Sequence, residues 1–169
     1  WEVEAYVRQE ELYKKTENLI DETYTKVRKI AHAKNSGLIA NQGLLVAVKN
    51  LAAKISAADK IQIEVIDFGL DKRIENSIEI TIFRIIQELV TNIVKHANAT
   101  KASINISLFD NGLNLIVEDN GKGFKKKSMK SKNSMGLTSI KKRVNHLNGN
   151  FEIDSFINKG TTIIIEIPV

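Results

Sequence analysis

The sequence contains no cysteine and a single proline, Pro168. Without cysteine the chain has neither disulfides nor a thiolate metal site, which is typical of proteins in a reducing compartment. The low content of proline and glycine, one and nine residues in 169, argues against a disordered linker protein. No apolar run approaches the roughly 20 residues of a membrane span, and the N-terminal segment lacks the apolar core of a signal peptide. These absences predict a soluble, folded chain without direct membrane contact.

Aromatic residues are also scarce, at 6% of the chain, although the net charge is +5. Six lysines crowd one short segment: Lys122, Lys125, Lys126, Lys127, Lys130 and Lys132. Such a cluster can serve nucleic acid, acidic lipid or a phosphate ligand, or can be a solvated loop. From Lys125 onward no aromatic side chain that would stack on a base interleaves with these lysines. We therefore expect no nucleic-acid partner.

Residues 1–34 are charged and contain neither glycine nor proline. Apolar side chains recur there at Leu12, Leu19, Val27 and Ile30, a spacing near seven that predicts a long amphipathic helix with a narrow apolar stripe. A stripe of this kind requires a partner helix, so a homodimer is expected. Two segments then contain the residues that end helices, Asn35-Ser36-Gly37 and Asn41-Gln42-Gly43.

The rest of the chain alternates between helical and strand periodicities. The order counted from Ile61 is strand, helix, strand, strand, loop, helix, strand, strand. Antiparallel hairpins interrupted by helices predict an α+β fold, a two-layer α/β sandwich with a mixed sheet, preceded by the long N-terminal helix. The predicted elements are a helix over Leu44–Ile55, strands over Ile61–Asp67, Lys101–Phe109, Leu113–Glu118, Asn150–Ile157 and Thr161–Ile167, and helices over Ser77–Ala97 and Gly136–Leu147.

The helix predicted over Ser77–Ala97 carries one polar stripe on an otherwise apolar surface. With Glu88 at zero on a 100° helical wheel, Asn92 lies at about 40°, Lys95 at about −20° and His96 at about 80°. Apolar side chains, Val94 among them, fill the rest of the circle, so the helix is expected to be mostly buried. A stripe of this composition faces either solvent or a functional site.

The tripeptide Asp-Asn-Gly occurs twice, and its two copies have different neighbours. Asp110-Asn111-Gly112 lies between two alternating segments and has the composition of a type I′ hairpin turn. Asp119-Asn120-Gly121 ends an apolar strand and is followed by a second glycine and the lysine cluster. By itself the second copy is also typical of a turn, and only its surroundings suggest binding.

Four segments in order resemble the motifs of the GHKL ATP-binding fold, specifically the catalytic domain of sensor histidine kinases. QELVTNIVKHA at 87–97 is similar to the N box of that family, VEDNGKGF at 117–124 to its G1 box and SMGL at 134–137 to its G2 box. GTTIIIEIP at 160–168 resembles its closing strand. Upstream, YTKVRKIAHA and GLLVAVKNLA resemble the second dimerisation helix and entry helix of a subclass that signals to helix-turn-helix response regulators.

The resemblance implies ATP as a ligand and assigns one group of residues to its base. Asp119 would accept a hydrogen bond from the exocyclic amino group of adenine. Gly121 and Gly123 would let the backbone approach the base, where a Cβ would intrude. Thr161 or Thr162 would reach the base edge, directly or through water.

A second group of residues is assigned to the phosphates and to Mg²⁺. Asn92 offers an amide oxygen to Mg²⁺, a hard cation that prefers oxygen ligands. Glu88 would act as the catalytic base or order a metal-bound water. Lys95 would pair with a phosphate, and His96 would either contact a phosphate or cap the helix end. Backbone N–H groups at a helix N-terminus would also bind the phosphates, those of Met135, Gly136 and Leu137.

Two departures from the family pattern concern the phosphates and the phosphoacceptor. Ser134 stands where the G2 box usually has its first glycine, which weakens the expectation of phosphate contacts there. His32 is followed by Ala33 rather than by an acidic residue, so it is not expected to be the acceptor. The resemblance implies residues 1–36 as a dimerisation-type helix and 37–169 as the catalytic domain. It also implies a response-regulator receiver domain as partner and a cytoplasmic location, which the cytoplasmic part of a membrane-anchored sensor would share.

Two other functions fit parts of this pattern. One is a GHKL serine kinase acting on an anti-sigma-type partner, against which the coiled-coil-like N-terminal stripe argues. The other is a non-catalytic, nucleotide-gated interaction module that only changes the geometry of a dimer. Neither the stimulus nor the identity of the regulator follows from the sequence.

Overall fold

The computed structural model describes residues 37–58, 61–125 and 135–169. Three features named above lie outside the described residues: the predicted helix of residues 1–34, His32, and the lysines from Lys126 to Lys132. The chain divides into two compact units, Trp1–Leu38 and Ile39–Val169, and the strands described below belong to the second. Within the described ranges no helix is long and apolar enough to cross a membrane.

The described residues form three helices and five strands. Residues 37–58 are helical (α1). The elements that follow are β1 (Gln62–Phe68), α2 (Asn76–Asn92) with a π-helical turn at its end (Ile93–Ala97), β2 (Lys101–Phe109), β3 (Gly112–Asp119), α3 (Met135–His146), β4 (Asn150–Phe156) and β5 (Gly160–Ile167).

The five strands form one mixed sheet in the order β1-β2-β3-β5-β4. β1 and β2 are parallel because α2 connects them, and the remaining pairs are antiparallel. Alternate residues of the central strands are buried, including Ile104, Leu115 and Ile165, as expected where one sheet face packs on helices. The predicted two-layer α+β fold is therefore confirmed.

The first Asp-Asn-Gly is a hairpin turn, as predicted, but its predicted turn type is wrong. Phe109 pairs with Gly112, so Asp110 and Asn111 alone form the connection between β2 and β3. A type I′ turn needs a positive φ at both central residues. Neither Asp110 nor Asn111 has one. Composition predicted the place of the turn correctly but not its backbone conformation.

The helix predicted over Ser77–Ala97 changes its hydrogen-bonding period near its end. It is α-helical over Asn76–Asn92 and π-helical over Ile93–Ala97, after which Asn98 has a φ of 52°. A π turn rotates the following side chains away from the positions of a regular α-helical wheel. Val94, predicted to be buried, lies within this turn and is 37% exposed.

Neither predicted helix end near residue 40 interrupts α1 within the described residues. Gly37, the last residue of the first predicted break, is helical in the structure, so that part of the prediction is wrong. The second predicted break, Asn41-Gln42-Gly43, is helical too, although Gly43 has a φ of 86°, the left-handed conformation that glycine adopts readily. The residues from Leu44 onward then bury Leu44, Ala47 and Val48 in the core.

An ion pair between the half-exposed Arg73 side chain and the buried Glu79 carboxylate joins α1 to the start of α2. Glu79 is only 2% exposed, and both of its carboxylate oxygens accept hydrogen bonds from the Arg73 guanidinium, at 2.9 and 2.7 Å. The same guanidinium donates to the carbonyl oxygen of Ile39 at 2.9 Å. Arg73 therefore neutralises a carboxylate in the core and satisfies a carbonyl of α1 at the same time.

Arg73→Met is expected to lower the midpoint of thermal unfolding, because it leaves the Glu79 carboxylate buried without its partner. The double variant Arg73→Met/Glu79→Met should recover most of the loss, since both charges are then gone. Circular dichroism melting curves measure this. The matched control is Lys49→Met, because Lys49 pairs with Asp67 at 2.9 Å on the surface, where ion pairs contribute little. Equal shifts for Arg73→Met and Lys49→Met would contradict the expected importance of neutralising the buried Glu79 carboxylate.

Candidate functional site

Asp119 is the last residue of β3 and faces the side of the sheet that packs on the helices. It pairs with Ala102 of β2 on one side and Thr161 of β5 on the other. Its Oδ1 accepts a hydrogen bond from the backbone N–H of Gly121 at 2.8 Å. Burial raises the pKa of the carboxyl group above its ordinary value, against the opposing effect of the N–H groups of Gly121 and Thr161. The strand end thus presents a half-buried carboxylate.

Gly121 lies against the last residue of the π turn. The backbone N–H of Lys122 donates to the carbonyl oxygen of Ala97 at 2.8 Å. A Cβ on Gly121 would overlap this carbonyl oxygen and lie 2.8 Å from Asp119 Oδ1. A glycine is therefore required here by the close approach of two backbone segments.

Gly123 lies on the other side of the same loop, against the hairpin that joins β4 and β5. Its φ is 56°, and a Cβ there would overlap the carbonyl oxygen of Phe156. The N–H of Asn158 in the hairpin donates to the carbonyl of Lys122 at 2.7 Å. The loop that follows Asp119 is thus held on both sides by backbone contacts.

The two threonines of β5 lie on opposite faces of the sheet. Thr161 pairs with Asp119 and shares its face, whereas the Thr162 hydroxyl donates to Glu118 at 3.2 Å on the face away from the helices. The structure therefore brings Thr161 to Asp119 and does not bring the Thr162 side chain there.

Glu88 and Asn92 lie one turn apart on α2 and contact the start of α3. A Cβ on Gly136 would lie 2.7 Å from Glu88 Oε1 and 3.5 Å from the two polar atoms of the Asn92 amide. Five residues beyond Asn92, Ala97 contacts the loop at Gly121. The C-terminal half of α2 therefore connects the start of α3 with the loop that follows Asp119.

The other predicted residues lie at the edges of this region. Lys95 and His96 are exposed on the π turn. Met135 is the first residue of α3 and Leu137, half-buried, is its third. Lys122 and Lys125 are the described members of the lysine cluster, both at least partly exposed.

Two residues that support the site were not singled out from the sequence. Oδ1 of Asn120 accepts hydrogen bonds from the backbone N–H groups of Thr100 and Lys101, both at 2.9 Å. These bonds attach the turn after β3 to the start of β2. Ser155, 5% exposed, accepts the N–H of Phe124 at 2.9 Å. The only sequence signal for Ser155 is that strand alternation places it on the inward face with Phe151 and Ile153.

The donor atoms on α2 are of the kind that suits a divalent cation shared with a phosphate ligand. Within the described ranges no cluster of three or more His, Asp or Glu side chains forms a metal site of the protein alone. Mg²⁺ is bound through one or two protein oxygens together with substrate phosphates and waters. Asn92 and Glu88, beside the open backbone at Gly136, fit this arrangement.

The model of one protein family, described as histidine kinase-, DNA gyrase B- and HSP90-like ATPases, matches residues 77–169. This is more than half of the chain. The chain belongs to this family. The matched range contains α2 from its second residue onward, the loop after Asp119, the start of α3 and β5, so the predicted membership is confirmed.

Sensor kinases are among the relatives of this chain. The signal transduction histidine-protein kinase/phosphatase DegS of Brevibacillus brevis is 31% identical over 151 residues, which are 89% of this chain and 39% of DegS. The sensor histidine kinase LiaS of Bacillus subtilis is 37% identical over 99 residues, 59% of this chain and 28% of LiaS. The chain thus spans less than half the length of these relatives.

Solved structures show the same fold. The blue-light activated histidine kinase EL346 of Erythrobacter litoralis superimposes with a TM-score of 0.62 at 20% identity. The superposition covers 74% of this chain and 41% of that protein. At this identity the likeness shows the architecture of the ATPase domain alone.

Proposed function

We propose that this chain is the ATP-binding, catalytic part of a two-component sensor histidine kinase, which transfers the γ-phosphoryl group of ATP to a histidine. The observation that carries the proposal is the position of α2. Its side chains Glu88 and Asn92 contact Gly136, while Ala97 at its end contacts Gly121. One helix thereby joins the regions assigned to the phosphates and to the base.

The base would bind at the end of β3. The Asp119 carboxylate would accept a hydrogen bond from the exocyclic amino group of adenine, and Thr161, its cross-strand neighbour, would face the same edge. Thr162 is left out of this proposal, because its hydroxyl donates to Glu118 on the opposite face. Gly121 and Gly123 would lie in the loop beside the adenine base, although what requires a glycine at each position in the structure is contact with the carbonyl oxygens of Ala97 and Phe156.

The phosphates would bind between α2 and α3. The Asn92 amide oxygen would hold Mg²⁺, which when bound neutralises phosphate charge during transfer. Glu88 would accept a proton from the attacking histidine or orient a water. Lys95 would pair with a phosphate, His96 would contact a phosphate or cap the helix end, and the N–H groups of Met135, Gly136 and Leu137 would bind phosphate oxygens.

The parent protein would be a homodimer that passes its phosphoryl group to an aspartate of a response-regulator receiver domain. DegS, LiaS and VraS, a sensor protein of Staphylococcus aureus, are named as sensors or signal transduction kinases, which supports this role. Residues 1–36 would supply the dimerisation helix and 37–169 the catalytic domain. Because ATP is the substrate, this part of the protein would function in the cytoplasm.

Glu88→Gln is expected to bind ATP as the wild type does but to transfer phosphate at least about a hundredfold more slowly, the loss typical of a missing general base. Calorimetry with ATP and Mg²⁺ measures binding. Phosphotransfer is measured with radiolabelled ATP and a purified dimerisation domain that carries a histidine followed by an acidic residue.

The matched control for this experiment is Glu64→Gln, because Glu64 is exposed on β1, in the half of the sheet away from the β3–β5 pair. It should leave both binding and transfer unchanged. Normal phosphotransfer by Glu88→Gln would contradict the assignment of Glu88 as the catalytic base. If the wild type binds ATP but labels no acceptor, a non-catalytic, nucleotide-gated role would replace the kinase proposal.

A further inference from the structure

Three neighbouring strands place a row of polar side chains at one end of the inward face of the sheet. Asp119 of β3 pairs with Thr161 of β5, and Thr161 pairs in turn with Ser155 of β4. The next inward positions along β3 and β5, Val117 and Ile163, are buried and apolar. The polar row therefore borders the core directly, where each hydroxyl hydrogen needs an acceptor.

The Ser155 hydroxyl is in contact with three polar atoms. The backbone N–H of Phe124 donates to its Oγ at 2.9 Å, the carbonyl oxygen of Gly160 lies 3.3 Å away, and Thr161 Oγ1 lies 2.9 Å away. Ser155 itself is 5% exposed, so water cannot readily replace these partners.

The donor and acceptor capacity of a hydroxyl determines the direction of each bond. A serine hydroxyl has one hydrogen and two lone pairs. The Gly160 carbonyl can only accept, so the Ser155 hydrogen satisfies it, and the Phe124 N–H occupies one lone pair of Ser155. The remaining lone pair then accepts the hydrogen of the Thr161 hydroxyl. This arrangement satisfies all three contacts and uses no hydrogen twice.

It follows that the Thr161 oxygen presents only lone pairs to its other neighbours. The contact between the two hydroxyl oxygens allows either to be the donor, and the assignment above makes Thr161 the donor to Ser155. The group next to Thr161 on β3 is the Asp119 carboxylate, which also accepts. Two acceptors side by side match an amino group, which has two hydrogens to donate. They repel a keto oxygen, which can only accept.

We propose that Ser155 is a positioning residue that orients the Thr161 hydroxyl as an acceptor, and that the site thereby selects a 6-amino purine nucleotide over a 6-keto purine nucleotide. The inference rests on the proposed binding of ATP at Asp119. It adds a residue that contacts no ligand itself and acts through Thr161.

The experiment compares the dissociation constants of ATP and inosine triphosphate, which have the same sugar and phosphates and differ in the purine at position 6 and the adjacent N1. The wild type should prefer ATP. In Ser155→Ala the Thr161 hydrogen loses its acceptor and is free to donate to a keto oxygen, so the preference should fall about tenfold. Ser155→Cys should behave similarly, since a thiol is a weak acceptor, and it keeps the volume of the side chain if the alanine variant does not fold.

A double-mutant cycle separates this role from simple support of the loop. In a Thr161→Val background, Ser155→Ala should leave the ratio of the two dissociation constants unchanged, because no hydroxyl remains to be oriented. Equal weakening of both nucleotides by Ser155→Ala would overturn the inference and leave only a structural contact to Phe124. So would the same change of ratio in the Thr161→Val background.

The wild-type measurement distinguishes this inference from the proposed function. A wild type that binds neither nucleotide would overturn the proposed function, and this inference with it. A wild type that binds ATP, together with variants at Ser155 that retain the full preference for ATP, would overturn this inference alone.

Discussion

Asp119→Asn is expected to raise the dissociation constant for ATP at least about a hundredfold. The substitution removes the negative charge and allows an NH₂ group to face the amino group of adenine, so that two donors meet. Isothermal titration calorimetry with Mg²⁺ and ATP measures the loss. The matched control is Asp110→Asn, in the other Asp-Asn-Gly, where the residue belongs to the exposed turn between β2 and β3. ATP binding by Asp119→Asn at the wild-type affinity would refute the proposed hydrogen bond between Asp119 and adenine.

The fold of Asp119→Asn should be at least as stable as the wild type at neutral pH, so that lost binding cannot be ascribed to unfolding. Burial raises the pKa of Asp119 in the folded state, which means that the folded state binds this proton more tightly than the unfolded state does. The stabilising contribution of the protonated group is fully present below the unfolded pKa and is lost as the pH rises through the folded pKa. Melting temperatures of the two proteins should therefore diverge over that interval, with the wild type falling relative to the variant.

Gly160→Ala is expected to destabilise the domain by about 3 kcal/mol, through backbone strain and overlap together. Gly160 has a φ of 88°, and a Cβ there would overlap the carbonyl oxygen of Asp119 and lie 2.9 Å from its carbonyl carbon. For a chain of this size the loss corresponds to a fall of about 10 °C in the midpoint of thermal unfolding. The alanine should also push β5 away from Asp119 and so weaken ATP binding.

Gly37→Ala is the matched control for this substitution. Gly37 is helical and exposed, and a Cβ there meets nothing within 4 Å. Alanine in a helix is favoured over glycine by roughly 0.5–1 kcal/mol, so this variant should be slightly more stable than the wild type. A melting temperature of Gly160→Ala that matches that of Gly37→Ala would contradict the predicted strain.

The fold and most of the proposed site could be predicted from the sequence because their signals are local. Strand alternation places Leu113, Leu115 and Val117 on one face, and the order of the glycine motifs along the chain indicates which segments would surround the proposed nucleotide. The contact of Gly136 with Glu88 and Asn92 agrees with the shared stripe that these two residues form on a helical wheel. Each of these inferences needs only a regular period or the order of motifs.

The remaining features depend on contacts that a period does not describe. A choice between Thr161 and Thr162 needs the register of β5 against β3, in which a shift of one residue reverses the two faces. The bonds of Ser155 join strands β4 and β5 to a loop 31 residues away. The exposed Val94 lies in a local change of helix type that no residue preference in Ile93–Ala97 indicates.

The π turn at the end of α2 has a consequence for how this protein can vary. A hydrogen-bonded ring of the π type encloses one residue more than a ring of the α type. The π turn at Ile93–Ala97 thus contains one residue more than an α-helical turn would. This extra residue lies between Asn92 and Ala97, whose carbonyl oxygen accepts a hydrogen bond from the backbone N–H of Lys122. A deletion of one residue here would restore a regular helix and leave Asn92 in place, but it would withdraw the anchor of the loop after Asp119. The spacing between the two proposed binding regions would therefore depend on chain length as well as on side-chain chemistry.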